Sequence, residues 1–296
     1  MHDRDIVFEI DSIRPEAKFT PWGGHREIAY YLIRTLKPAK VVELGTHWGV
    51  SFFSFLQAVK DDNLACEVVA IDTWEGEEHA GIYTEEVFDF VRISASKIYP
   101  RTQYKLIRSL FDDSVDKFED GQIDILHIDG LHTYEATKHD YYTWLPKLSE
   151  NGIVLFHDVA ANVEYGSRRF WEEIKLEHPF YEVDHSWGLG ILFPKGEVNY
   201  EKLENNNFLE KLLVFKYKYL SGLYRDQLVA AERMIEDKDQ LIQSTEQLCE
   251  ERLQLIRKTE AIVENQREII NESRKRPRIL RWIISFFGPV RGKRRR

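Results

Sequence analysis

The sequence predicts an α/β fold: a doubly wound, mainly parallel sheet with an antiparallel hairpin at its C-terminal end, followed by a long helical extension. Three observations carry this. From about residue 25 to 196, short apolar runs alternate with amphipathic stretches of helical length, as in a parallel sheet covered on both faces. Several of these runs end in an acid followed by a turn. Beyond residue 227 the pattern changes to apolar pairs seven residues apart, with neither Gly nor Pro up to residue 273.

Strands are expected at 40–44, 67–71, 104–108, 123–128 and 152–156, each an apolar run of strand length. A later pair, 181–185 and 190–193, is close enough to form a hairpin at the sheet edge. Helices are expected at 26–36, 51–60, 84–96, 133–144 and 168–177. Residues 1–198 would make up this domain, and 199–226 a helical connector, polar at first and then rich in Leu, Phe and Tyr.

The repeat that follows is explicit. Met234-Ile235, Leu241-Ile242, Leu248-Cys249, Leu255-Ile256, Ile262-Val263 and Ile269-Ile270 recur at intervals of seven. Over 227–273 this predicts a long helix that self-associates as a left-handed coiled coil, roughly 64 Å long from Leu228 to Ile270 at 1.5 Å per residue. The second seam position is polar, with Lys238, Thr245, Arg252, Thr259 and Gln266. A solvated amphipathic helix lying on the preceding domain is the alternative.

Composition narrows the class. At 296 residues, 43% apolar and 13% aromatic, the chain can hold one sizeable core and an appendage. Cys66 and Cys249 fit no metal or disulfide spacing, which favours a reducing compartment. The charged start, Met1-His2-Asp3-Arg4-Asp5, lacks the apolar core of a secretory signal, and nowhere do eighteen apolar residues run together.

The net charge of −9 is divided unevenly. Residues 274–296 carry ten Lys or Arg and no acid, leaving 31 basic against 50 acidic residues, or −19, on the preceding 273. Within that tail, Trp282, Ile283, Ile284, Phe286 and Phe287 form an apolar segment between basic clusters. Ten helical residues reach only about 15 Å, half a bilayer. The expectation is an in-plane helix on an anionic membrane surface, hence a peripheral protein at the cytoplasmic face. Nucleic acid is disfavoured as the partner, because a phosphate backbone offers those apolar side chains no burial.

The chemistry is expected where strands deliver polar residues. Residues 41–51, Val-Val-Glu-Leu-Gly-Thr-His-Trp-Gly-Val-Ser, read as a buried strand carrying Glu43, a turn with Gly45 and Gly49, and a helix starting near Ser51. Glycines allow close backbone approach to a ligand, and the helix N-terminus offers free N–H groups. The turn is not G-x-G-x-x-G and no Gly-Lys-Ser/Thr follows, which weakens dinucleotide and P-loop readings. The strand ending in Asp72 supplies an acid that could accept from ribose hydroxyls, or serve as a helix N-cap. Asp129 leaves the end of another strand, Gly130 turns the chain, and His132 arrives at the next helix start. His157 and Asp158 end the fifth strand. His127, within its strand, reads as a hydrogen-bonded core residue, and Asp124 as a strand-start residue.

Several of these pieces together resemble a known family. Residues 43–49, Ile71-Asp72-Thr73-Trp74-Glu75-Gly76, His127-Ile128-Asp129-Gly130-Leu131-His132-Thr133-Tyr134, Leu155-Phe156-His157-Asp158 and Trp187-Gly188-Leu189-Gly190 are similar to motifs of the bacterial class I S-adenosylmethionine (SAM) methyltransferases that modify sugars and natural products, the Methyltransferase 24-like family. The resemblance runs from Trp22 to Phe193, and the repeat and tail lie outside it.

The resemblance implies a Rossmann-like sheet and SAM bound by Glu43, Gly45, Thr46, Gly49, Ser51, Asp72 and Trp74. It implies a divalent cation, Mg²⁺ or Mn²⁺, held by Asp129, His157 and Asp158. One imidazole in that set tilts preference away from Mg²⁺, or marks a site without metal. His132 is implied as general base and Asp129 as a second catalytic residue, with a helix cap as the alternative for His132. Trp22, His25 and Tyr83 would line an acceptor pocket, or pack. The expected activity is O-methylation of a saccharide hydroxyl in cell-surface glycan assembly. The alternatives are an inactive SAM-fold scaffold docked at a membrane, and an accessory to oxygenation or glycosyl transfer.

Overall fold

The computed structural model describes residues 6–77 and 81–275. The chain divides into two compact units, Met1–Tyr224 and Arg225–Arg296. In the first unit the elements run α1 (Arg26–Leu36), β1 (Lys40–Leu44), α2 (Val50–Asp61), β2 (Glu67–Asp72), β3 (Gly76–Glu77), β4 (Gly81–Ile82), α3 (Glu85–Ile98), β5 (Gln103–Arg108), α4 (Asp112–Val115), β6 (Ile123–Ile128), α5 (Tyr134–Trp144), β7 (Leu148–His157), α6 (Gly166–Ile174), β8 (Phe180–Val183), β9 (Leu189–Leu192) and α7 (Val198–Glu204). The last helix, α8 (Phe208–Lys275), starts in this unit and runs through the described part of the second. Residues 199–224, read from sequence as a connector, thus belong to the first unit.

Seven strands form one sheet in the order β5-β2-β1-β6-β7-β9-β8. The first five are parallel, and β9 pairs antiparallel with both β7 and β8. The architecture is the expected Rossmann-like one. The order reverses between β1 and β6, which is where such sheets open a crevice at the strands' C-terminal ends. Asp124 anchors the opposite end: its Oδ2 accepts from the Ala39 and Lys40 N–H groups at 2.7 and 3.0 Å, and its Oδ1 from the Ser149 hydroxyl at 2.9 Å.

Strand alternation sorts the core into two layers. Val42 and Leu44 join the layer with Tyr141, Trp144, Phe170 and Trp171, while Val41 lies in the other with Phe52, Phe55 and Ile28. Glu43 is a carboxylate buried to 0% exposure, and its register partner on β6 is His127, also at 0%.

Helix α8 begins against the first unit, with Phe208 stacked on Tyr31 at 5.5 Å and Leu212 buried. Along residues 227–275 it exposes both apolar columns of the heptad repeat, each member 42–66% exposed where it is a large hydrophobic. Among the described residues no helix is long and apolar enough to cross a membrane. The interfacial helix expected in the tail lies outside the described residues, apart from Arg274 and Lys275 at the end of α8.

Candidate active site

The crevice at the strand ends opens into two adjoining lobes of about 410 Å³ each, which share Gly45, Thr46, His47, Tyr83 and Asp129. Beyond these, one lobe is bounded by Asp72, Thr73, Leu110, Phe111 and Asp140. The other reaches Arg14, Trp22, Ser51, His132, Asp158 and Trp187.

The turn after β1 explains its two glycines. Gly45 has φ +90°, and a Cβ there would sit 2.0 Å from the Asp129 carbonyl oxygen, so the close approach of the β1 and β6 ends requires glycine. Gly49 has φ +79° at the N-cap of α2, where a side chain would press on Phe53. Asp72 ties this turn to β2. Its Oδ2 accepts from the Thr46 and His47 N–H groups at 2.8 and 2.9 Å, and its Oδ1 from Trp74 N–H at 2.7 Å. The carboxylate borders the cleft and retains lone pairs for a further donor.

Three residues expected at the cofactor border neither lobe: Gly49, at the N-cap of α2, Trp74 and Glu43. Trp74 is 1% exposed, packs on Phe88 and donates its indole N–H to the His47 carbonyl at 3.1 Å. Glu43 Oε1 lies 2.9 Å from His127 Nδ1, and the Trp22 indole N–H donates to His127 Nε2 at 3.1 Å. Because Trp22 can only donate, His127 carries its proton on Nδ1 and gives it to Glu43. The chain Glu43–His127–Trp22 thus holds an indole at the cleft wall from beneath, and His127 is the hydrogen-bonded core residue that its position in the strand suggests.

His25 is fully buried, stacked on His185 at 5.2 Å and 3.2 Å from the Ser186 carbonyl, and burial pushes its pKa well down. It packs beneath the cleft, whereas Trp22 and Tyr83 border it. Tyr83 stacks on His47 at 4.6 Å.

At the ends of β6 and β7 four titratable side chains converge. His132 Nδ1 lies 3.0 Å from Asp158 Oδ2, and its ring stacks on Tyr165 at 5.0 Å. The cap of α5 is Thr133, whose hydroxyl oxygen accepts from Ala136 N–H at 3.1 Å, so the capping alternative for His132 falls away. His157 Nδ1 lies 3.1 Å from Asp129 Oδ1 and 3.3 Å from Asp158 Oδ2, while its Nε2 faces the Ser186 carbonyl at 3.3 Å. Burial works against charge on His157, but the two carboxylates outweigh it and hold its pKa well above the ordinary imidazole value. For Asp129, burial alone would raise the pKa; His157, with His127 and His132, brings it below the usual carboxylate range.

This differs from the expected metal set. Both ring nitrogens of His157 face oxygen atoms, Nδ1 the Asp129 and Asp158 carboxylates and Nε2 the Ser186 carbonyl. The group whose donor atoms all lie within 4.8 Å of one another is Asp129, His132 and Asp158. Asp158 holds its place in left-handed backbone at φ +60°, and His47, Trp74 and Trp187 around the same crevice also have positive φ. Such conformations cost free energy in non-glycine residues and cluster where structure serves a site. Arg14 was not singled out by any sequence motif, yet it borders the cleft.

Part of the chain is similar to known proteins. Residues 42–159 match a family model described as a methyltransferase domain. Over 173 residues the chain is 40% identical to an uncharacterized protein of Sinorhizobium fredii; the match covers 58% of this chain and 19% of that protein, so the chain spans about a fifth of that relative's length. A methyltransferase from Geobacter sulfurreducens aligns at 16% identity and TM-score 0.45, covering 66% of this chain and 92% of that one. An O-methyltransferase from Bacillus cereus, solved with SAH, aligns at 16% identity and TM-score 0.42, covering 57% and 79%. Residues 42–159, which run from β1 to just past the end of β7, are thus similar to the methyltransferase-domain family over about two fifths of the chain.

Proposed function

We propose that the protein is a SAM-dependent O-methyltransferase that uses His132, oriented by Asp158, to deprotonate an acceptor hydroxyl. The observation that carries this is the His132 Nδ1 to Asp158 Oδ2 contact of 3.0 Å at the wall of a cleft whose neighbouring lobe is bordered by Asp72. The residues present fit the cofactor: an acid with spare lone pairs at the end of β2, and a Thr46 hydroxyl buried without a partner between the lobes. When bound, SAM supplies an electrophilic methyl group on a sulfonium sulfur.

The protein's own part is positioning and proton transfer. Asp158 accepts from Nδ1–H of His132, which directs the basic Nε2 to the acceptor and stabilises the imidazolium once the hydroxyl proton arrives. Asp129 and His157 keep the wall beside this pair polar. Asp129, His132 and Asp158 could instead hold a divalent cation that would grip the acceptor oxygens and acidify one of them. That use would occupy His132, so the two assignments predict opposite responses to chelation.

A saccharide acceptor, in glycan assembly at a membrane surface, is the finer reading. Its support is the aromatic surface of Trp22, Tyr165 and Trp187 beside polar groups in the same lobe, together with the basic, apolar tail. Amphipathic aromatic faces suit the mixed polar and apolar faces of a sugar ring.

The test is calorimetric titration of SAM into the full chain, followed by methyl transfer from labelled SAM to candidate sugars with and without chelator. Micromolar binding and chelator-resistant transfer are expected. A folded protein that releases no heat with SAM would overturn the enzyme reading. Unchanged turnover in both Asp129→Ala and His132→Ala would overturn the assigned chemistry.

A further inference from the structure

We infer that Arg14 and the first turn of α2 form a receptor for a carboxylate, and that its occupant is the amino-acid carboxylate of the cofactor; this rests on the SAM reading above. Residues 6–25 form short turns, Glu9–Ser12, Pro15–Phe19 and Gly23–His25, and Arg14 lies between the first two. Its guanidinium carbon stands 3.8 Å from the centre of the Trp48 ring and 5.4 Å from that of Phe90. Trp48 immediately precedes Gly49, the N-cap of α2.

Three features mark this as a place for an anion. Among the described residues bordering the two lobes, Arg14 is the only Arg or Lys, so it brings the one permanent positive charge to the cleft. Its Nε is buried without a hydrogen-bond partner, and its side chain is only 17% exposed. Glu16 Oε1 lies 3.5 Å from that same Nε, beyond a well-formed hydrogen bond, and the Glu16 side chain is 60% exposed. A guanidinium stacked on an indole and short of acceptors is suited to a bidentate carboxylate.

The second, independent observation is Thr46. This residue is 4% exposed, borders both lobes, and buries a hydroxyl oxygen that has no partner. Ser51 lines the same lobe from the first turn of the twelve-residue helix α2, whose N–H groups and dipole favour negative charge. Arg14, the Thr46 hydroxyl and this helix start thus offer a carboxylate a cation, a donor and unpaired N–H groups.

An acidic acceptor could present the same chemistry, and a pair of probes separates the two sources. S-adenosylhomocysteine carries the carboxylate, whereas 5′-methylthioadenosine keeps the nucleoside and lacks the amino-acid end. Both would be titrated into full-length wild type, Arg14→Met and Arg14→Lys, with melting temperatures recorded as the check on folding. The expected result is about 10- to 100-fold weaker S-adenosylhomocysteine binding in Arg14→Met, the range for losing a charged hydrogen-bonded partner. Methylthioadenosine affinity should stay within twofold, with Arg14→Lys intermediate for the carboxylate ligand alone.

Equal weakening of both ligands would make Arg14 a packing residue and overturn the inference. Unchanged binding of both, with turnover lost only on acidic acceptors, would move the carboxylate to the acceptor and overturn the assignment to the cofactor. If wild type binds neither ligand, the SAM reading itself falls, a result visible before any variant is compared.

Discussion

His132 and Asp158 sit at the ends of neighbouring strands, and their side chains meet with imidazole Nδ1 3.0 Å from carboxylate Oδ2. Asp158 reaches this position from left-handed backbone at φ +60°, a conformation that Asn adopts at least as readily. Asp158→Asn should therefore keep the fold while removing the negative charge that orients and stabilises the base. Turnover should fall by about 10²- to 10⁴-fold, the usual worth of a positioned general base. Affinity for S-adenosylhomocysteine should change by less than about threefold, since cofactor affinity on this reading rests on other residues. Calorimetry and a single-turnover assay measure the two quantities, and a loss confined to cofactor binding would contradict the assigned role.

Glu43 is a second case in which a side chain's neighbours decide its task. It pairs with His127 at 2.9 Å in a fully buried setting and borders neither lobe of the cleft. Glu43→Ala would strand the His127 Nδ1–H without an acceptor and open a cavity, at a cost of about 3 kcal/mol or more. Glu43→Gln, whose amide oxygen still accepts, should lose much less. Affinity for S-adenosylhomocysteine in the folded fraction should stay within about threefold. A Glu43→Ala protein that melts normally but no longer binds the ligand would return this residue to the cofactor.

Asp140 makes stability depend on pH. It lies 6% exposed beside Gly130, and burial, with Asp112 adding and His139 opposing, raises its pKa to about 7. A folded-state pKa above the unfolded one means that the folded protein holds the proton more tightly. The contribution is fully present below about pH 4 and is lost as pH rises through about 7. At about 1.4 kcal/mol per unit, up to roughly 4 kcal/mol is at stake. Asp140→Asn imitates the protonated form at every pH. Denaturant unfolding should show this variant more stable than wild type at pH 8 and nearly equal at pH 4, and an unchanged slope between those values would refute the assignment.

What the sequence made legible, and what it hid, follows from how far each determinant reaches along the chain. Strands β1 and β6 end where expected because an apolar run meets a turn within a few residues. Strand β7 starts earlier than the apolar pattern, at Leu148, because the polar residues Ser149–Asn151 still extend it. The two-residue hairpin of β3 and β4 is too short to leave a periodic signal.

Side-chain direction was harder to read. Spacing could bring Asp129, His132, His157 and Asp158 to one sheet edge. Which donors converge there depends on the φ of Asp158 and on the Ser186 carbonyl, 29 residues beyond His157. Trp74 turned inward for a similar reason: at φ +52° its N–H meets Asp72 and its indole meets His47. Arg14 belongs to no motif, and only its packing on Trp48 brings it to the cleft.

Beyond residue 227, helix α8 carries two exposed apolar columns on either side of a polar one, and we propose that a second copy of the same helix covers them. Each helix offers the matching seven-residue period, and a parallel, in-register pair sets Glu251 beside Arg252 across the seam. The polar column argues for two strands, since Lys238 and Arg252 can reach water from the seam of a dimer but would be enclosed in a larger bundle. The full chain should sediment as a dimer at micromolar concentration. Leu248→Asp with Leu255→Asp should yield a monomer whose first unit melts as before. Cys249 lies in one of the apolar columns and is exposed, whereas Cys66 is buried and its thiol pushed up to about 12. Mild oxidation should therefore link two parallel chains through Cys249 alone. A dimer that resists this crosslink would reverse the orientation, and a monomeric wild type would leave the apolar columns to a different partner.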